Sequence, residues 1–114
     1  MKDRLKKLNN KKINSKIEDI VLKYVKTICN QYKVEAIILF GSYAKGTEHE
    51  DSDIDIAIVI DEFKDNIVDE EVEFMMMREG IDYRIEPHII RIDDYKNITN
   101  PFVQEVIETG IKVA

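Results

Sequence analysis

Asp53 and Asp55 are separated by one residue, and that spacing decides what two carboxylates can do together. They lie in the run Asp51-Ser52-Asp53-Ile54-Asp55-Ile56-Ala57-Ile58-Val59-Ile60, where Ile54, Ile56, Ile58 and Ile60 recur with the period of two of a half-buried strand. The two aspartates therefore share the opposite face, with Cα atoms roughly 6 to 7 Å apart. Like charges that close repel one another. A hard, oxygen-seeking divalent cation removes the repulsion, and Mg2+ held by one or two carboxylates together with substrate phosphates is the commonest arrangement of that kind.

Such a metal needs a phosphate nearby, and residues 39–47, Leu39-Phe40-Gly41-Ser42-Tyr43-Ala44-Lys45-Gly46-Thr47, offer a place for one. Residues 34–40 (VEAIILF) read as a buried strand that runs directly into Gly41 and Ser42. Gly41 lets a phosphate approach the backbone, and the Ser42 hydroxyl with the N–H groups of Ser42 and Tyr43 can cradle phosphate oxygens if residues 42–45 form a helical turn. Lys45 is either a further phosphate contact or a solvent-exposed loop lysine. Two other motifs fail on inspection. Gly41 and Gly46 have the spacing of a P-loop, but Thr47 stands where the phosphate-gripping lysine belongs. Asp51, Asp53, Asp55 and Glu62 fall at EF-hand ligand positions, yet Ile56 replaces the turn glycine and the isoleucine alternation demands extended backbone.

Gly41-Ser42, ten residues, then Asp53-Ile54-Asp55 resembles the G-S-x10-D-x-D pattern of the polymerase-β-like nucleotidyltransferase superfamily, and the short chain is similar to its minimal branch. The resemblance implies an α/β fold, a small mixed sheet flanked by helices. It implies Asp53 and Asp55 as catalytic ligands of one or two Mg2+ ions, with Gly41 and Ser42, and Lys45 with them, binding the nucleotide. Superfamily members place a third acid on a neighbouring strand, commonly an aspartate. Glu86 is the best match, because Ile85 and Pro87-His88 around it resemble the minimal enzymes, and it would serve as third metal ligand and catalytic group. Asp82 shares its parity and competes. The implied reaction moves AMP from ATP to a hydroxyl of a partner protein. Minimal nucleotidyltransferases are often antitoxins of HEPN-domain toxins, so such a toxin is the implied partner. The alternatives are a module that masks a partner with a vestigial nucleotide site, and transfer to a small molecule, which a chain without a further acceptor domain disfavours.

The elements that must position these residues can be traced from the helical and strand periodicities. Ser15, with Glu18 three places on, has the form of a capping box for a helix over 16–32, whose apolar stripe is Ile17, Ile20, Val21, Tyr24, Val25 and Ile28. Cys29 falls at the edge of that stripe as small packing volume. A turn over 61–64 leads into a second helix over 65–79 stopped by Gly80, with Val68, Val72, Met75 and Met76 inward and Asp69, Glu70, Glu71 and Glu73 outward. Residues 81–90 alternate as a third strand, which Pro87 confines to an edge or bulge. Arg84 and His88 share the face of Glu86. Arg84 either steadies a phosphate or pairs with Asp82 or Glu86; His88 either touches proton or base or makes a structural hydrogen bond. Asn100-Pro101 opens a closing helix with Phe102, Val103, Val106 and Ile107 inward, and residues 111–113 add a strand or lie on the sheet. The sheet is expected to carry the site at one end, with helices on the face away from it.

The 114 residues suffice for one domain, taken as 15–114, so the minimal-branch resemblance implies that a partner subunit or a dimer completes the site. The formal charge of −6 is uneven: residues 1–16 hold seven Lys or Arg against Asp3, +6, leaving −12 on the other 98. An acidic body opposes nucleic-acid binding. Residues 1–14 read as a basic arm, solvated or touching RNA or an acidic partner. No apolar run is long enough for a membrane span, and a single cysteine excludes a disulfide framework, so the cytoplasm is the expected location.

Overall fold

The computed structural model describes residues 13–61, 67–98 and 100–114. Helix α1, Ser15–Gln31, leads into β1, Ala36–Phe40; a four-residue helix α2, Ser42–Lys45, follows at once. Then come β2, Ile54–Ile60; α3, Ile67–Met76; β3, Ile85–Arg91; α4, Ile92–Lys96; α5, Pro101–Thr109; and β4, Ile111–Lys112. The basic arm over 1–12 and the turn over 62–64 lie outside the described residues.

The four strands form one mixed sheet in the order β3-β2-β1-β4. β1 pairs antiparallel with β2 and β4, and β2 pairs parallel with β3. Pro87 thus sits in an edge strand, the one place a residue without an N–H is tolerated. The α/β class and the flanked mixed sheet stand as expected.

The helices, however, do not leave one face bare. Ile54, Ile56, Ile58 and Ile60 join Ile37, Leu39 and Ile85 in a core with the stripe of α1 and Phe74 of α3. On the opposite face Ala57, Val59, Ala36, Ile38 and Ile90 are buried against Val103 and Val106 of α5. The run Ile56-Ala57-Ile58-Val59-Ile60 is apolar at every position, and no strand can leave one side of such a run in water without forfeiting about 25 cal/mol per Å2 of apolar area. The near end of this second face, where Asp55, Glu86 and His88 stand beside Phe40, is polar and partly open.

Three local expectations need correction, and one helix went unanticipated. The cap of α1 is Asn14, not Ser15: its side chain accepts the Lys16 N–H at 2.7 Å, and Glu18 N bonds the Asn14 carbonyl. α3 is rotated from its expected face. Phe74 and Glu70 are buried, while Val68, Val72 and Met76 are more than half exposed. Phe74 sets this rotation, packing its ring 4.8 Å from Tyr32 and accepting the buried Tyr24 hydroxyl at its carbonyl, 2.7 Å. Glu70 and Glu73 lie against the Tyr32 hydroxyl, and burial together with those carboxylates pushes the phenol's pKa up. The third strand begins at Ile85 because residues 78–85 are a chain of turns, with Ile81 and Asp82 N–H bonded to the Arg78 carbonyl and Ile85 N–H to that of Asp82. Finally, Ile92–Lys96 is helical, which no periodicity announced. The cap at Asn100, with its side chain accepting Phe102 N at 2.8 Å, Pro101 in the first turn, and the closing strand appear as expected.

Candidate active site

Register assembles the site. Phe40 is the partner of Asp55 across β1 and β2, and Asp55 is the partner of Glu86 across β2 and β3. Partnered residues point to the same face, so Asp55 lies between the strand end that leads into Gly41 and the Glu86 carboxylate. Asp53 stands just ahead of β2 and is exposed, whereas Asp55 is half-buried. Partial burial is the main reason the Asp55 carboxyl is pushed above its ordinary range; His88 opposes this, and the charges of Asp53 and Glu86 add to it. Two further carboxylate charges acting on Asp55 are the electrostatic situation a cation relieves.

Gly41 closes the other side. Its φ of 75° is a left-handed backbone that favours glycine, and a Cβ here would collide with Asp55 Oδ2 and lie 3.1 Å from its Cγ. From there α2 turns tightly, with Ala44 and Lys45 N–H bonded to the Gly41 carbonyl. The N–H groups of Ser42 and Tyr43 have no carbonyl inside so short a helix to bond. The helical turn expected over 42–45 is therefore present, and it begins against the Asp55 carboxylate.

The oxygen-only donors Asp53, Asp55 and Glu86 are of the kind Mg2+ takes. Among the described residues no three Asp, Glu, His or Cys groups converge closely enough to hold an ion unaided. Mg2+ sites of few carboxylates are ordinarily filled out by phosphate and water oxygens.

The remaining residues divide. Asp82 is not on the strand: its carboxylate grips Arg84 at 2.8 and 3.0 Å and accepts the Arg84 backbone N–H, which holds the Asp82 carboxyl below its usual range. Arg84 is therefore an ion-pair partner of Asp82, and also reaches the Tyr43 hydroxyl at 3.4 Å. Lys45 pairs with Glu105 of α5 at 2.9 Å. His88 Nε2 lies 3.4 Å from Asp55 Oδ1. Arg78 was not singled out by the sequence: its Nη1 donates to the Ile85 carbonyl at 2.9 Å and stands 3.9 Å from Glu86 Oε2. No motif marks it, since it comes from the turn after α3. A cavity of 320 Å3 opens beside Tyr43, His49 and Arg84 near the start of α1, but none of the three carboxylates lines it.

A family model described as polymerase beta, nucleotidyltransferase matches residues 23–114. A candidate protein adenylyltransferase of Methanocaldococcus jannaschii is 38% identical over 99 residues, covering 85% of this chain and 93% of that protein. The protein adenylyltransferase MntA of Shewanella oneidensis is 54% identical over 35 residues, 31% of this chain and 25% of its own. A crystal structure of a toxin–antitoxin with AMP-PNP superposes with a TM-score of 0.57 at 28% identity, over 85% of this chain and 72% of that one. A match over this much of the chain, on a sheet whose register brings Asp55 to a glycine-serine turn, makes this chain a member of the polymerase β-type nucleotidyltransferase family.

Proposed function

We propose that the protein transfers AMP from ATP to a hydroxyl group of a partner protein, with Asp53, Asp55 and Glu86 as the catalytic carboxylates. The observation that carries this reading is the register Phe40–Asp55–Glu86, which sets two acids side by side at the mouth of the Gly41 turn. Relatives named as protein adenylyltransferases support the choice of AMP and of a protein acceptor.

Gly41, Ser42 and the free N–H groups of the α2 turn bind the β- and γ-phosphates, and the left-handed backbone at Gly41 brings them against Asp55. The acceptor oxygen attacks the α-phosphorus, the bond to the bridging oxygen of pyrophosphate breaks, and Glu86 takes the acceptor's proton. Asp53 and Asp55 would hold Mg2+, which would supply neutralisation of charge on the phosphoryl oxygens. Arg78 donates to the Ile85 carbonyl and stands 3.9 Å from Glu86 Oε2, a cation beside the base at the strand's start. Lys45 pairs with Glu105 at the surface, and so exposed a pair is weak enough for the lysine to turn to a phosphate oxygen as a further nucleotide contact.

The proposed partner is a HEPN-domain toxin in the cytoplasm; the likeness to a toxin–antitoxin structure supports it. The exposed stripe Val68, Val72 and Met76 on α3 favours a second reading, in which the chain acts by covering a partner without modifying it. Mass spectrometry separates the two. Incubation with MgATP and the co-purified partner is expected to add the mass of one AMP to that partner, and Asp53→Ala to abolish the addition. A stable complex of unchanged mass would establish masking instead.

A further inference from the structure

Three rings stand at the edge of the carboxylate cluster. Phe40 and His88 lie 5.1 Å apart between centroids, Phe40 and Phe102 5.6 Å, and His88 and Phe102 5.8 Å. Phe40 immediately precedes Gly41 and is the register partner of Asp55, and His88 touches the Asp55 carboxylate. Phe102 comes from the first turn of α5 and keeps 39% of its surface exposed. One helical turn later, Glu105 on the same helix holds Lys45 at the end of α2. Along α5, then, an aromatic surface comes first and the end of the phosphate turn follows.

Phe102 is poorly explained as core. The buried cluster beneath α5 is made by Ala36, Ile38, Ala57, Val59, Ile90, Val103 and Val106, with Phe40 packed against it, and Phe102 lies outside it. A phenyl ring held by two others in edge-to-face and tilted contacts is nonetheless fixed in place, since such pairs favour definite geometries. A fixed, partly uncovered ring beside a phosphate-binding turn has the form of a stacking platform, the device by which proteins hold a nucleobase through its π-face.

We propose that Phe102, braced by Phe40 and His88, stacks on the nucleobase of the bound triphosphate; this rests on the nucleotide site proposed above. Bound with its β- and γ-phosphates at Gly41 and Ser42, the nucleotide extends past Asp55, and its base meets the aromatic cluster.

Calorimetry with two Mg2+-loaded ligands tests the assignment: ATP, and inorganic tripolyphosphate, which has no base. In Phe102→Ala the Kd for ATP is expected to rise about tenfold, equivalent to about 1.4 kcal/mol, while that for tripolyphosphate changes by less than about twofold. Because Phe102→Ala could unfold, Phe102→Trp provides a second measurement. The chain has no tryptophan, so the new indole reports alone, and its fluorescence is expected to fall on adding MgATP but not tripolyphosphate. Equal weakening of both ligands in Phe102→Ala, no change for either, or an unquenched indole at saturating MgATP overturns the stacking role alone. Failure of the wild-type protein to bind either ligand overturns the phosphate site, and the stacking role with it.

Discussion

Gly41 and Asp55 stand so close that any side chain at Gly41 must displace the Asp55 carboxylate. A methyl group at Gly41 meets the Asp55 carboxylate on a backbone that already disfavours it. Gly41→Ala is expected to lower kcat/KM for transfer by about 100-fold or more, the cost of displacing a reacting group by about an ångström, while circular dichroism stays that of the wild type. Asp55 makes a second prediction, about pH. Its carboxyl is raised above the ordinary value of 3.8, so between the two values the folded chain holds a proton that the unfolded chain has lost. The stability it contributes is present below 3.8 and is lost as pH rises through the folded pKa. Asp55→Asn should therefore abolish transfer and yet melt at a higher temperature than the wild type at pH 7 in metal-free buffer, the two melting curves converging as pH falls toward 3.8. A lower melting temperature for the variant at pH 7 would contradict the burial and repulsion assigned to this group. The aspartate pair and Gly41-Ser42 were legible because strand alternation and the resemblance to a family motif mark them, and the register then sets Asp55 at the strand end before Gly41. Arg78 was not, because a turn residue acquires its neighbours only when β3 comes to lie beside β2.

At the scale of elements, the helices show what periodicity can and cannot decide. α1 buries the stripe expected of it, Ile17, Val21, Tyr24, Val25 and Ile28, since its apolar residues leave one consistent face. α3 offers two competing faces. Valine and methionine suggest one, but Phe74, in contact with Tyr32 and bonded through its carbonyl to Tyr24, selects the other and takes Glu70 inside with it. One ring of that size outweighs smaller side chains left at the surface. In urea unfolding, Phe74→Ala is expected to cost about 3 to 5 kcal/mol and Tyr24→Phe about 1 to 2 kcal/mol, the penalty of leaving a buried carbonyl without its donor. Val72→Ser on the outer face should stay within about 0.5 kcal/mol. The start of β3 was misplaced for a different reason: alternation from Ile81 onward imitates a strand, but Asp82 bonds the Arg84 N–H and turns the chain before pairing begins at Ile85.

Taken whole, the protein is an acidic body asked to hold an anion. With −12 on residues 17–114, three of whose carboxylates form the proposed site, ATP without a divalent cation meets a net repulsion. Chelating the metal is expected to raise the Kd for ATP by at least about 100-fold in calorimetry. Whatever binding persists should strengthen as salt rises from about 50 to 300 mM, because shortening the Debye length weakens a repulsion. Residual binding that weakened with salt would place a basic surface at the site. No helix among the described residues is long and apolar enough to cross a membrane.

The arrangement of the sheet has one further consequence. One margin is β3, where Pro87 interrupts the outward row of donors, and the other is β4, only two residues long. Neither is a usable template on which another chain could zip in extended form. Concentrated solutions should accordingly resist growth into cross-β fibres, and a visiting protein must be met through helices and side chains rather than by lengthening the sheet.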